Sequence, residues 1–251
     1  MGSLSLPAQT DPEYPSNDPA MQQYSDIAAT LLAEEIRHVY GGEDWTDSLY
    51  LEFDFVAYTR DGRELVRYHN EWNRLTDEAS LSGTMSGGRF YEVRFTELSS
   101  LSGTMTIDSQ AIPEAHLQSG LVSGYERLTS NIRWLITPLM LLDTTGVLLM
   151  MNDSNIDGQQ ITPLYISYSD TISNASGATL YVNSKHKTID RWKINYEGED
   201  REYIWRQTRR VGPFLFATKM WADDFQTYIM LEGIKVKRVT GEGLAEVWTG
   251  K

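Results

Sequence analysis

Residues 134–153 read WLITPLMLLDTTGVLLMMND, the one long apolar run in an otherwise acidic and polar chain. A bilayer-spanning helix needs about 20 uninterrupted apolar residues, and this run is broken by Pro138, Asp143, Thr144, Thr145 and Gly146. It predicts two buried apolar strands joined by a turn over residues 143–146, and places them centrally in a sheet. Two readings of such a hairpin stand side by side: plain core, or the wall of a cavity holding an apolar ligand.

Outward from this run, the flanking sequence is mostly strand. LYLEFDFVA (49–57) puts Leu49, Leu51, Phe53, Phe55 and Ala57 on one face at period two. The turn Arg60-Asp61-Gly62 leads to a second strand through Val66, Tyr68, Asn70 and Trp72, a predicted hairpin. GRFYEVRFTEL (88–98) alternates Tyr91, Val93 and Phe95 against Phe90, Glu92 and Arg94. Six further strands follow the apolar run: ITPLYISYS, ATLYVNS, TIDRWKINY, REYIWRQTRRV, FLFATKMW and FQTYIMLEGIKVKRV. Their connections are hairpin-length, and no helical stretch separates them to serve a parallel crossover. The hexapeptide SLSGTM occurs at 80–85 and again at 100–105, bracketing the third strand. It reads as two similar strand-edge segments, or as a functional pair flanking one opening.

Helical spacing is confined to the N-terminal half. Asp18 before Pro19 is a good helix start, and Tyr24, Ile27, Ala28, Leu31, Leu32, Ile36 and Val39 trace one buried face up to Gly41 and Gly42. A short second helix is predicted from Pro113. Ahead of these, residues 7–19 (PAQTDPEYPSNDP) carry four prolines, so residues 1–19, with an opening MGS that looks like a cloning remnant, are expected to be a flexible tether. Residues 20–251 are expected to form a single domain. The predicted fold is mainly β (α+β): a large curled antiparallel sheet or incomplete β-barrel of about ten strands, with one long N-terminal helix covering its concave face.

Composition narrows the function. A formal charge of −13 disfavours nucleic acid, which is held by clustered Lys and Arg. There is no cysteine, hence no disulfide, thiolate metal site or Cys nucleophile. The four histidines, His38, His69, His116 and His186, lack metal-ligand spacing, and Glu34 with His38 reads as a solvated ion pair. SGLVSGY (119–125) lacks the glycine-serine-glycine elbow of serine hydrolases. GTMSGG (83–88) has neither the lysine nor the following helix of a phosphate loop. Asp223 with Asp224 and Arg209 with Arg210 read as polar strand ends. What remains is apolar: seven Trp, fourteen Tyr and nine Met, many at alternating strand positions.

An ordered series of motifs carries a resemblance. A helix ending in VYGG (39–42), then DW (44–45) and LEFDF (51–55), the central WLITPLMLLDTTGV (134–147), and LYVNSKHKTIDRWKI (180–194) resemble exported bacterial proteins of the lipoprotein-carrier (LolA/LolB-like) superfamily, in an uncharacterised branch. The similarity runs over most of residues 24–238. It implies an incomplete antiparallel barrel whose apolar face is capped by helices, and binding of acyl chains or another hydrophobic molecule. It also implies a periplasmic or outer-membrane location, reached through a signal sequence absent from this chain, with any lipid anchor on a cysteine upstream of residue 4. The arginine that latches the helical lid in the typical carrier has no matched position here.

The expected function is therefore non-enzymatic binding or carriage of a lipid or other hydrophobic ligand in the bacterial cell envelope, with no cofactor or metal. The expected apolar wall is Trp134, Leu135, Leu139, Leu141, Leu148 and Met150; the expected lid is the first helix through Ile27, Leu31 and Ile36. Each buried methylene contributes about 0.8 kcal/mol, so a dozen supply roughly 10 kcal/mol before ordering costs. A structural or protein-interaction module of the envelope with a filled core is the alternative, followed by an enzyme with a carboxylate site that no motif shows.

Overall fold

The computed structural model describes residues 19–46, 49–143, 147–167, 175–196, 199–240 and 243–250. The tether predicted over residues 1–19 (except Pro19, at the start of the first helix), the Asp18 cap and most of the turn predicted at 143–146 thus lie outside the described residues.

Helix α1 (Pro19–Tyr40) comes first and ends at Gly41. Gly41 takes φ +85°, and a Cβ there would stand 2.4 Å from the carbonyl oxygen of Pro213. Only glycine fits both conditions, which gives the VYGG motif its physical reason. α1 buries Ala29, Leu32, Ala33, Ile36 and Tyr40. This face is rotated from the predicted one: two alanines let the helix lie close, and Ile27 and Leu31 are left exposed at 55% and 57%.

An antiparallel meander follows: β1 (Leu49–Thr59), β2 (Glu64–Asn73), β3 (Glu78–Thr84), β4 (Phe90–Glu97), β5 (Ser102–Ile107) and the short β6 (Gln110–Ala111). Next comes α2 (Glu114–Ile136), with Glu114 in its first turn and Arg133 in its last, each sign suited to the helix dipole. The chain resumes as β7 (Leu148–Met150), β8 (Ser154–Ile156), β9 (Gln159–Ser167), β10 (Ala175–Asn183), β11 (Ile189–Tyr196), β12 (Glu199–Val211), β13 (Phe214–Ala222), β14 (Thr227–Thr240) and β15 (Gly243–Thr249).

All fifteen described strands join one antiparallel sheet, in the order β6-β5-β4-β3-β2-β1-β14-β13-β12-β11-β10-β9-β7, with β15 on β14 and β8 on β9. The sheet is open, not closed into a barrel. Its two meanders meet at one seam, where Leu49 of β1 lies opposite Arg238 of β14 and Thr59 opposite Thr227. The mainly β, incomplete-barrel class holds.

The opening run is not two central strands. Residues 134–136 are the last turn of α2, Thr137–Leu139 form a 3-10 turn, and only Leu148–Met150 are strand, paired to β9 at the sheet edge. The reason lies upstream, where Leu121, Leu128, Ile132 and Leu135 are buried at helical spacing. That stripe carries the helix into the run until Pro138, which cannot continue it. The second helix is therefore long, and it shares the cover of the sheet with α1.

The sheet is apolar on the helix-covered face and charged on the other. Across its inner face Phe53, Asn70, Leu81, Val93 and Met105 form one row, and Phe55, Tyr68, Gly83, Tyr91 and Ile107 the next. On the outer face Arg67 bridges Glu64, Asp54 and Glu232, Lys235 and Lys237 flank Glu52, and His69 lies between Asp54 and Glu71. Burial works against a charged His69 ring, but the bonds to Asp54 and Glu71 outweigh it and raise its pKa above the usual histidine value.

Candidate functional site

Much of the inner face is filled. Trp134 of α2 packs against Trp192 and Tyr203, each at 4.6 Å between centroids, and Trp192 in turn meets Trp205. Leu135, Leu139 and Leu141 are buried within this same core at 1% exposure or less. Four of the six expected wall residues thus pack as core. Leu148 and Met150 are half-buried at its margin.

The space lies elsewhere, beside the first half of α2. A groove of about 620 Å³ runs between Gly120, Ser123, Gly124 and Arg127 of α2, the start of β2 from Glu64 to Tyr68, and the tip of the β3–β4 hairpin at Thr84, Met85 and Ser86. Tyr91, Val93 and Met105 also line it. A volume of this size is within the usual range for small-molecule sites, roughly 300–1,000 Å³.

Close approach builds the groove. A Cβ on Gly124 would meet the Val93 methyls at 2.9 Å, and one on Gly120 would meet the Met105 sulfur at 2.6 Å. The two glycines, one helical turn apart, therefore let α2 rest directly on β4 and β5, with the groove opening along its flank. On the sheet, a Cβ on Gly83 would stand 2.5 Å from the Tyr68 ring. Its absence lets Tyr68 lie across β3 toward Tyr91, with 6.5 Å between centroids in an edge-on contact. Burial pushes the Tyr91 hydroxyl up to about 12, with the Tyr68 hydroxyl adding to the rise and Arg127 opposing it. One turn beyond Arg127, Asn131 donates to Asn70 at 2.9 Å, and both are buried. From that point on, helix and sheet are in contact.

Both SLSGTM copies reach this groove. β3 and β5 flank β4, with Leu81 and Met105 on either side of Val93. Met85 ends the first copy and Met105 the second, and both line the groove. The copies are strand segments and also two walls of one opening. SGLVSGY is mid-helix and supplies the opposite wall. Arg127 carried no sequence signal; an arginine on a mostly polar helix looks like any solvated charge.

A second cavity, of about 530 Å³, lies between α1 and the β7–β10 end of the sheet. Here Leu31, expected in the lid, meets Met150, expected in the wall, beside Ala28, Leu32 and the Lys187–Glu35 ion pair. Ile36 is buried beneath α1, and Ile27 faces solvent. The titratable candidates do not converge. His38 pairs with Glu43 at 2.9 Å instead of Glu34, and Asp223 and Asp224 sit in the β13–β14 turn. Among the described residues no three histidine or carboxylate side chains are placed to hold a metal ion, and no helix is long and apolar enough to cross a membrane.

No protein-family model and no curated protein matches the chain. Among solved structures it is similar to a DUF1329 family protein from Desulfovibrio piger, with a TM-score of 0.50 at 12% identity over 84% of this chain and 92% of that one. It is also similar to a LolA superfamily protein from Nitrosomonas europaea (TM-score 0.46, 11% identity, 88% and 92% covered). A third is a putative outer membrane lipoprotein-sorting protein domain from Vibrio parahaemolyticus (TM-score 0.40, 9% identity, 87% and 91% covered). At such identity the likeness concerns fold alone. The chain shares the fold of the DUF1329 protein.

Proposed function

We propose that this chain is a non-enzymatic binder of a lipid or other apolar ligand in the bacterial cell envelope, periplasmic or held at the outer membrane, and that the groove beside α2 is the seat. The observation that carries this reading is the lining itself: Val66, Tyr68, Tyr91, Val93 and two methionines around about 620 Å³ of space. Methionine is unbranched and polarizable, so Met85 and Met105 form a wall that adapts to chains of different shape. The envelope assignment is supported by the motifs VYGG, WLITPLMLLDTTGV and LYVNSKHKTIDRWKI. In this reading Trp134, Leu135, Leu139 and Leu141 serve by anchoring α2, and the cavity joining Leu31 and Met150 is a subsidiary seat.

Met85 is 41% exposed on a turn, so a charge there leaves the fold intact while placing a carboxylate in the groove wall. Met85→Asp is expected to weaken binding of an apolar fluorescent dye by about tenfold, or about 1.4 kcal/mol. Wild-type protein that binds no dye and yields no lipid on extraction would overturn the reading. That outcome would favour an interaction module, a second reading motivated by the exposed Ile27, Leu31 and Val147 near edge strand β7.

A further inference from the structure

We infer that the ligand of the groove is an acyl chain bearing an anionic head, and that Arg127 receives that head. The inference rests on the groove being the binding site and names the class of molecule it takes.

Arg127 is exposed on the flank of α2 where the groove opens, three residues after Gly124 and four before Asn131. Its guanidinium lies 5.2 Å from the centroid of the Tyr68 ring, over the aromatic wall of the groove. Among the described residues it forms no ion pair. The groove's other arginine, Arg67, is already neutralised, with Asp54 at 2.8 Å, Glu64 at 2.9 Å and Glu232 at 3.1 Å. Glu64, the one carboxylate in the lining, is committed to Arg67 through both oxygens.

The distribution of polarity then fits an amphiphile. Val93, Met105 and the tyrosine rings offer an apolar bed, while Ser123, Ser86 and Arg127 stand among the polar groups of the lining. Tyr91 keeps its proton at neutral pH, so it brings no negative charge against an incoming anion. A guanidinium presents paired N–H donors that match a carboxylate or a phosphate in two-point fashion. The cation–π contact with the Tyr68 ring leaves those donors free.

The test compares decanoate, decyl phosphate and decanol by calorimetric titration below their aggregation concentrations, with wild type, Arg127→Met, Arg127→Lys and Met85→Asp. Wild type is expected to bind both anions about tenfold more tightly than decanol, and the preference to fall with added salt. Arg127→Met is expected to weaken binding of both anions about tenfold more than that of decanol, abolishing the preference, and Arg127→Lys to retain part of it. A ranking of decyl phosphate above decanoate, or the reverse, identifies the head as phosphate or carboxylate. Equal binding of anion and alcohol by wild type, or equal losses for both in Arg127→Met, overturns the role of Arg127 while the groove stands. Failure of all three ligands to bind, or binding indifferent to Met85→Asp, overturns the groove itself.

Discussion

Asn70 and Asn131 are the polar exception in an apolar interface, and each has its partners. Asn131 donates to the Asn70 side-chain oxygen, while the Asn70 amide donates to the carbonyls of Tyr68 and Phe53. A buried pair of this kind contributes little net stability but is costly to leave half-made. Asn131→Leu, which strands the Asn70 oxygen, is therefore expected to cost about 1–3 kcal/mol. The double replacement by leucine is expected to cost less than the sum of the two single ones, as urea unfolding of all four proteins will show. Nothing in the sequence marks the pair. Asn70 was legible as a position on an inner strand face, but a partner 61 residues away on a helix leaves no local pattern.

At the scale of elements, strands were read well and α2 poorly. Period two is local, so Leu49 to Ala57 and Tyr91 to Phe95 declare their faces without reference to anything distant. α2 has a weaker declaration, since its stripe includes Gly120, Gly124 and Asn131 where apolar residues would normally mark the face. Its last turn, Trp134–Ile136, is apolar all round because the core closes about it, and a short all-apolar segment looks the same as strand or helix. The same glycines are what the groove depends on, so the feature that hid the helix also makes the site. Gly124→Val would drive side-chain atoms into Val93. It is expected to destabilise the protein by about 1–3 kcal/mol, the usual range for overpacking, and to weaken dye binding as α2 is displaced. Thermal unfolding and dye titration of the variant check both.

For the whole molecule, sequence order and spatial order differ in one decisive respect. Local hairpins account for most neighbours, and these could be listed from the sequence; the β1–β14 seam could not, because it joins the first strand to one of the last. Along it Leu51 lies opposite Val236, which is fully buried and also faces Trp248 of β15. Contacts between such distant segments form late, once the loop-closure cost has been met. Val236→Ala is expected to speed unfolding severalfold while leaving the refolding rate nearly unchanged, the signature of an interaction absent from the transition state. Stopped-flow unfolding and refolding in urea would show it.

The seam has a consequence for the chain as it is made. Synthesis delivers the N-terminal strands first, so β1 through β5 can assemble as a meander long before β14 exists, with β1 as its bare edge. An unpaired edge is a template for any passing strand. Its outward face carries Glu52, whose partners Lys235 and Lys237 belong to β14, whereas Asp54 already has Arg67 and His69 of β2 beside it. Two copies of the nascent meander that met edge to edge would each present an uncompensated Glu52 at the junction. The unpaired charge of Glu52 thus disfavours pairing between sibling chains during the interval when the strand that will cover it has yet to be translated.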